Sequence, residues 1–227
     1  MNISYTKIDP AGNITVIVDS FVPREQQSRV ASELMKRDVT IEQVGFLEKP
    51  DDPCCAVRLQ MMGGEFCGNA SLSAAAVIFS RAGLGEGLYC EELFEVSGAP
   101  EPVKISGNMV NRACFEGEVA MPLPESISEC SFLDGFEGYT FPLVRFPGIC
   151  HAIVPAGAIN PERAEAVIAS WCRQLSADAL GLMFFDRDKC TLTPLVYVAS
   201  TDTAVWEGSC ASGTAAVAAY LAELDGE

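Results

Sequence analysis

Two cysteines stand in closely similar surroundings in this sequence. Residues 67–77 read CGNASLSAAAV, and residues 210–220 read CASGTAAVAAY. Each cysteine follows a turn that contains glycine and glutamate, and each precedes small residues and an alanine-rich stretch typical of a helix. Because the two segments repeat at an offset of 143 residues, the pattern predicts two similar halves, each with one cysteine at the start of a helix.

A cysteine at a helix start can perform acid–base chemistry. The first helical turn presents unpaired N–H groups and a partial positive charge, which lower the pKa of a thiol and can hold a carboxylate. If the halves face each other, one thiolate removes the proton beside a bound carboxylate while the other thiol protonates the opposite face. That chemistry inverts the carbon. For either motif alone, the alternative is a cysteine packed among small residues in a core.

The elements that must position these cysteines are short strands alternating with helices. Apolar spacing predicts a helix over residues 24–36, and small-residue helices are predicted over 70–82 and 214–224. The short, hairpin-like strands, including one over 111–118, favour a mixed α/β fold of the α+β type over a doubly wound parallel sheet. Residues 122–138 are rich in proline and glycine and are predicted to be a loop-rich connection between domains.

The composition argues against several classes of function. The 227 residues include 15 Lys and Arg against 31 Asp and Glu, a formal net charge of −16, and such a surface repels nucleic acids and anionic membranes. No run reaches the ~18 apolar residues that a membrane helix needs, and residues 1–10 do not resemble a secretory signal. We therefore expect a cytoplasmic protein with a small-molecule partner and with neither nucleic-acid nor membrane partners.

The cysteine and histidine counts bear on metal sites and hydrolases. The chain has ten cysteines and one histidine, and no CxxC pair, so we expect no metal site of the usual zinc spacing. The eight cysteines outside the two motifs are expected to be thiols that pack in the core. His151 follows a turn and is interpreted as a structural histidine at a strand start rather than a general base.

Three motifs carry a resemblance to a known family. Residues 12–16 (GNITV), 64–70 (GEFCGNA) and 210–215 (CASGTA) stand in the order found in the diaminopimelate epimerase-like family of cofactor-independent amino-acid racemases and epimerases. The resemblance implies two pseudo-symmetric domains, each a curved sheet wrapped around a central helix, with the active site between them. It also implies an amino-acid substrate, catalysis without pyridoxal phosphate or another cofactor, and a homodimer as a common assembly.

The resemblance further implies roles for individual residues. Cys67 and Cys210 would be the acid–base pair, in an N-terminal domain of residues 1–118 and a C-terminal domain of residues 119–227. Asn13 would contact the substrate, although a turn asparagine in a left-handed conformation is the alternative. The α-carboxylate would be bound by the backbone N–H groups of Gly68, Asn69, Ala211 and Ser212.

The sequence departs from the diaminopimelate epimerases at the side-chain subsite. Their Glu-Arg-Gly segment supplies an arginine for a second carboxylate, whereas residues 205–210 here read VWEGSC and keep only the acidic Glu207. An acidic site without arginine suits a basic or hydrogen-bonding side chain, and within the family the histidine racemases resemble this pattern most. Glu42 is a candidate second side-chain contact, with an exposed strand residue as the alternative.

Two other interpretations remain open at this stage. One is a true diaminopimelate epimerase or a related isomerase, and the other is a non-catalytic ligand-binding or redox protein whose paired cysteines form a reversible disulfide. Members of the family usually continue into closing strands after the second cysteine helix. We therefore expect the C-terminal domain of this chain to lack those strands.

Overall fold

The structure is a computed structural model that describes residues 2–133, 136 and 138–226. Four helices and thirteen strands form within these residues. The elements of the first half are β1 (Tyr5–Ile8), β2 (Thr15–Val18), α1 (Arg24–Arg37), β3 (Gln43–Glu48), β4 (Val57–Met61), α2 (Gly68–Arg81), β5 (Tyr89–Val96), β6 (Val103–Asn111) and β7 (Cys114–Val119). Those of the second half are β8 (Ser126–Ser131), β9 (Thr140–Phe146), β10 (Ile149–Pro155), α3 (Pro161–Gln174), β11 (Ala179–Asp186), β12 (Thr191–Val198), β13 (Thr203–Trp206) and α4 (Ala211–Asp225).

The strands form two sheets in which every neighbour in space is also a neighbour in sequence. Strands β1 to β7 make a seven-stranded sheet, and β8 to β13 make a six-stranded sheet. The parallel pairs are β2–β3, β4–β5 and β10–β11. Each of these pairs is joined by a helix, because a parallel connection needs a long crossover. The fold is therefore mixed α+β, as the strand and helix pattern predicted.

The two halves repeat one arrangement. In each, an antiparallel pair (β1–β2 or β9–β10) leads into a parallel pair joined by a helix, and an antiparallel partner (β4 or β12) follows. Helices α2 and α4 then pack against their own sheets. The two domains are thus pseudo-symmetric, and one continuous apolar core joins residues of both sheets, including Val44, Phe46, Val144 and Met183.

Two predictions about elements were wrong. Residues 111–118 are not one strand, because the Asn111 side chain accepts a hydrogen bond from the Ala113 N–H at 2.8 Å and turns the chain between β6 and β7. The segment 122–138 is not all loop, since β8 pairs with β9 along residues 126–131. This edge strand is mostly exposed and lacks apolar alternation. Gly135, part of the argument for a loop, lies outside the described residues.

The helices were found close to their predicted positions. Helix α1 matches its prediction within one residue, whereas α2 and α4 begin two and three residues earlier than predicted. These earlier starts make Cys67 and Cys210 the residues that directly precede the two helices. Within the described residues, no helix is long and apolar enough to cross a membrane.

Candidate active site

Cys67 and Cys210 cap their helices in the same way. Cys67 has φ −136° and ψ 112°, and Cys210 has φ −138° and ψ 109°. Each Sγ accepts a hydrogen bond at 3.4 Å from the backbone N–H three residues later. Each backbone carbonyl also accepts a hydroxyl hydrogen bond at 2.8 Å, from Ser71 and Thr214 respectively. The repeat seen in the sequence is therefore a repeat of local structure, with a cysteine as the N-cap residue of each helix.

The two helix starts meet at one cleft. The Asn69 amide nitrogen donates to the backbone oxygen and the hydroxyl of Ser209, at 3.2 and 3.1 Å. A Cβ added to Gly68 would lie 3.0 Å from the Ala211 Cβ. Both cysteines line the cleft, whose free volume is about 30 Å³, where a single water molecule needs roughly 10–15 Å³ of such volume. The cleft is closed in this state.

On the N-terminal side, Cys67 is held by a network of amide side chains. Its thiol donates to the Gln43 Oε1 atom at 2.9 Å. The Gln43 amide nitrogen donates to the Asn13 Oδ1 atom and, at 2.7 Å, to the Thr15 hydroxyl. Asn69 also donates to Asn13 Oδ1, at 3.2 Å. The φ angle of Asn13 is not positive, so the alternative of a turn asparagine in a left-handed conformation was wrong.

On the C-terminal side, Cys210 is held by hydroxyl and imidazole groups. Its Sγ lies 3.5 Å from the Ser212 hydroxyl, which lies 3.0 Å from the His151 Nε2 atom. His151 is fully buried, and burial lowers the pKa of its imidazole to about 3. The ring is therefore neutral at physiological pH. His151 is the third residue of β10. Through its hydrogen bond with Ser212, it supports the wall of the cleft next to Cys210.

Three carboxyl groups line the cleft, and no arginine or lysine is among its described lining residues. Burial raises the pKa of Glu65 to about 7 and that of Glu207 to about 8. Glu42 accepts hydrogen bonds on one oxygen from the Asn13 side chain at 2.7 Å and from the Gly208 N–H at 3.2 Å. Glu42 precedes β3 and is half-buried, so the alternative of an exposed strand residue was wrong.

The pKa values of the two thiols differ from the prediction. Burial, followed by the nearby Glu207 carboxyl, raises the pKa of Cys67 to about 12 and that of Cys210 well above its usual value. The capping N–H of each helix acts in the expected direction, but burial among carboxyl groups outweighs it. A thiolate in this cleft therefore needs a partner that takes its proton. The Glu207 carboxyl group lines the same cleft as Cys210 and has a pKa of about 8, so it is the candidate for that role.

The structure brings all the predicted site residues to one place. Eight of the nine line the cleft itself, and the ninth, Gly68, lies against Ala211 at the meeting of the two helix starts. The residues so placed are Asn13, Glu42, Cys67, Gly68, Asn69, Glu207, Cys210, Ala211 and Ser212. Three of the other cysteines, Cys54, Cys114 and Cys190, are exposed and do not pack in the core, contrary to prediction.

Sequence reasoning missed two polar residues of the cleft. Glu65 stands two residues before Cys67, so its position in the first motif was a signal of its place in the site. Gln43 follows Glu42 in the sequence, and its side-chain oxygen accepts the hydrogen bond of the Cys67 thiol. Within the described part of the chain, no cluster of His, Cys, Asp or Glu is arranged to hold a metal ion.

Solved structures share this fold. They include a hydroxyproline epimerase from Agrobacterium vitis, with a TM-score of 0.67 and 13 % identity over 99 % of this chain and 77 % of that one. A probable proline racemase from Agrobacterium radiobacter K84 has a TM-score of 0.69 and 14 % identity over the same shares. At these identities the likeness establishes the two-domain fold.

Comparison of sequences places the chain within a family. The family profile described as "Histidine racemase CntK N-terminal domain" matches residues 2–227. A histidine racemase from Fusobacterium nucleatum subsp. nucleatum is 34 % identical over 96 % of this chain and 81 % of its own length. One from Staphylococcus aureus is 28 % identical over 96 % and 79 %. The protein is therefore an isomerase of the racemase and epimerase class. It belongs to the histidine racemase family.

Proposed function

We propose that this chain racemises histidine by a two-base mechanism in which Cys67 and Cys210 act on opposite faces of the α-carbon, without pyridoxal phosphate. The observation that carries the proposal is the paired capping of α2 and α4, which brings two thiols with the same backbone geometry to one closed cleft. The histidine racemases among its relatives support the choice of substrate.

The helix starts supply the groups that would bind the substrate carboxylate. In each helix the capping pattern uses the third and fourth backbone N–H groups after the cysteine, which donate to its Sγ and its carbonyl oxygen. The first two N–H groups have no acceptor within the helix. These belong to Gly68 and Asn69 in α2 and to Ala211 and Ser212 in α4. Together with the two helix dipoles they offer an anion site in a cleft whose described lining residues include carboxyl groups but no lysine or arginine.

The chemical step moves two protons and leaves the atoms of the substrate otherwise unchanged. A thiolate takes the α-proton, and the electron pair of the broken C–H bond delocalises into the carboxylate held by the helix starts. The other thiol then donates its proton to the opposite face of the same carbon. The product is the mirror image of the substrate, and the two sulfur atoms have exchanged their protonation states.

The acidic groups would select the side chain. Glu42 and Glu207 both line the cleft, and the Glu42 carboxyl contributes to the raised pKa of Glu207. An imidazole can donate hydrogen bonds to carboxyl groups, and in its protonated form it also offsets their charge. A second substrate carboxylate would meet repulsion there, because the described lining residues include no cation.

Substrate admission requires the two domains to separate. The free volume of about 30 Å³ is too small for an amino acid, so the structure corresponds to the closed arrangement. Closure around the substrate would exclude water and fix the α-carbon between the two sulfur atoms. Asn69 and Ser209, which bridge the helix starts, would separate and meet again in each cycle.

The proposal is tested by α-proton exchange in D₂O. Reduced protein is incubated with a panel of L-amino acids and with diaminopimelate, and the α-proton signal is followed by NMR. We expect loss of the signal and formation of the D-enantiomer for histidine, and little exchange for diaminopimelate. Faster exchange of diaminopimelate would instead identify an epimerase. Absence of exchange with every substrate in folded, reduced protein would contradict catalysis and favour a ligand-binding or redox role.

We also propose the remaining features that the resemblance implies. The domains are residues 1–118 and 119–227, the protein is a homodimer, and it acts in the cytoplasm. Separate expression of residues 1–118 as a folded unit would support the boundary, and sedimentation equilibrium of the full chain would test the dimer.

A further inference from the structure

We infer that Gln43 is a positioning residue that keeps the proton on Cys67 in the empty cleft. Cys210 is then the thiol that gives up its proton to start a cycle from the empty enzyme, and Cys67 is the proton donor in that direction of the reaction. The inference deepens the proposed function and rests on it for the roles of the two cysteines. A two-base racemase must hold one thiol and one thiolate, and two halves of similar structure do not by themselves determine which is which.

The inference starts from the contact between Cys67 and Gln43. The thiol donates to the Gln43 Oε1 atom at 2.9 Å, and Gln43 is 4 % exposed. A carbonyl oxygen can accept a hydrogen bond but cannot donate one. This contact therefore stabilises the protonated form of Cys67 and is lost, or becomes repulsive, when the sulfur is ionised.

Neighbouring groups prevent the Gln43 amide from turning over. Thr15 donates its own hydroxyl hydrogen to the backbone oxygen of Asn13 at 2.9 Å, so towards Gln43 it can only accept. Asn13 Oδ1 likewise accepts from Gln43 and from Asn69. Both hydrogens of the Gln43 amide are thus used, and its oxygen must face Cys67.

The orientation of Asn13 is fixed in turn by Glu42. One Glu42 oxygen receives two donors, the Asn13 side-chain nitrogen at 2.7 Å and the Gly208 N–H at 3.2 Å. The nitrogen of Asn13 therefore faces Glu42, and its oxygen faces Gln43. A chain of oriented hydrogen bonds runs from Glu42 through Asn13 and Gln43 to the thiol of Cys67. Turning any member would leave buried polar atoms unpaired.

The other groups around the two sulfur atoms fit this assignment. The charges of the Glu207 and Glu65 carboxyl groups also oppose the ionisation of Cys67, and the Ala70 N–H favours it. Among the described residues, no amide oxygen is fixed against Cys210. Its hydrogen-bonding neighbours are the Gly213 N–H and the Ser212 hydroxyl, which can donate to a thiolate. The Glu207 carboxyl lines the same cleft and can take the proton. The contacts are therefore asymmetric although the backbone is symmetric.

Alkylation of Cys67 tests the inference without any turnover. The full chain, reduced and without substrate, is treated with iodoacetamide at pH 8.5. The initial rate is then read on the tryptic peptide 59–81, in which Cys67 is the only cysteine. We expect the substitution Gln43→Met to speed this reaction about three- to fourfold. Loss of one hydrogen bond lowers the thiol pKa by about one unit, and weaker nucleophilicity of the thiolate offsets part of the gain.

Two further variants separate this effect from access. Gln43→Glu has the size of glutamine and keeps an oxygen towards Cys67, so we expect alkylation at the wild-type rate or slower. Gln27→Met is the matched control, because Gln27 is equally buried but bonds to Val22 and Glu48 outside the cleft; its rate should equal that of the wild type. Should Gln43→Met fail to fold, Thr15→Val removes an acceptor that fixes the amide and should also speed the reaction.

An unchanged or slower rate in folded Gln43→Met, or in its substitute Thr15→Val, would overturn the inference. So would a Gln43→Glu protein that reacts faster than the wild type. These outcomes concern the state of the Cys67 thiol alone, whereas racemisation in D₂O tests the proposed function. Each proposal can therefore fail while the other stands.

Discussion

At the residue scale, burial among carboxyl groups affects the pKa of each cysteine more strongly than its position at a helix start does. A capping N–H and a helix dipole favour a thiolate, yet burial and the Glu207 carboxyl raise the pKa of Cys67 to about 12. A resting cleft with two protonated thiols resists oxidation and alkylation, because the thiolate is the reactive form. The carboxyl groups and the bound substrate must then create the thiolate when it is needed.

The first prediction concerns the cysteines themselves. Cys67→Ser and Cys210→Ser should each lower kcat/KM for histidine racemisation by at least 100-fold, because each removes one acid–base group. Polarimetry of purified proteins measures the rate. Cys114→Ser, at an exposed position of β7, is the matched control and should retain full activity. Full activity in either cleft variant would rule out the two-cysteine mechanism.

The second prediction concerns the pH dependence of the rate. Burial raises the pKa of Glu207 to about 8, so below that pH it is protonated and cannot accept the proton of Cys210. The value of kcat/KM should therefore rise as the pH increases through about 8. In Glu207→Gln this rise should disappear and the rate at pH 9 should fall at least tenfold. A Glu207→Gln profile that keeps the same inflection would show that another group titrates.

At the element scale, the cleft is built by two helices that begin with the same cap and touch at their starts. The repeat of small residues after each cysteine made this predictable from sequence, because a close approach of helix starts needs small side chains. The network around Cys67 was not predictable. It joins Gln43, Asn13 and Glu42, whose contacts depend on the pairing of β2 with β3, and sequence spacing carries no information about such pairing. The edge strand β8 escaped prediction because it has no buried face.

The third prediction concerns the contact between the loops at the rim. A Cβ added to Gly208 would lie 2.1 Å from the backbone oxygen of Gly12 in the other domain, so Gly208→Ala should hold the domains apart. We expect kcat/KM to fall at least tenfold, since small displacements of catalytic groups are costly. Gly85→Ala should be neutral, because its Cβ would meet only the flexible end of the Leu88 side chain. Equal activity of the two variants would argue against closure at this contact.

At the scale of the whole molecule, one of three apolar clusters in the described residues spans both sheets, while the polar site lies between the domains. The domain pattern and the fold were predictable from the repeated motif and the resemblance it carries. The closed state was not, because it depends on contacts between residues far apart in sequence, such as Asn69 with Ser209. The same closure buries acidic groups, which links the stability of the protein to pH.

The fourth prediction is a change of stability with pH that depends on Glu65. Its pKa is about 7 in the folded protein because of burial, against about 4.3 for a free glutamate. Protonated Glu65 stabilises the folded protein relative to the unfolded chain. This contribution to stability is fully present below the pKa of the unfolded chain and is lost as the pH rises through 7. From pH 5 to pH 7.5, the free energy of unfolding should fall in the wild type by on the order of 2 kcal/mol more than in Glu65→Gln. Urea unfolding of both proteins at the two pH values measures this difference.

The matched control is Glu86→Gln. Glu86 is exposed, so this variant should follow the wild type between the two pH values. Equal pH dependence of Glu65→Gln and the wild type would mean that Glu65 ionises in the folded protein as readily as in the unfolded chain.

The central claim, that two thiols act on opposite faces of one carbon, is tested most directly by tracing deuterium during the first few per cent of reaction. L-Histidine is incubated with the enzyme in D₂O, the enantiomers are separated, and the label at each α-carbon is measured by mass spectrometry. We predict that D-histidine carries deuterium while the remaining L-histidine keeps its proton, because one thiol removes hydrogen and another delivers it. Product that retains the original proton would show transfer by a single group and would contradict the account.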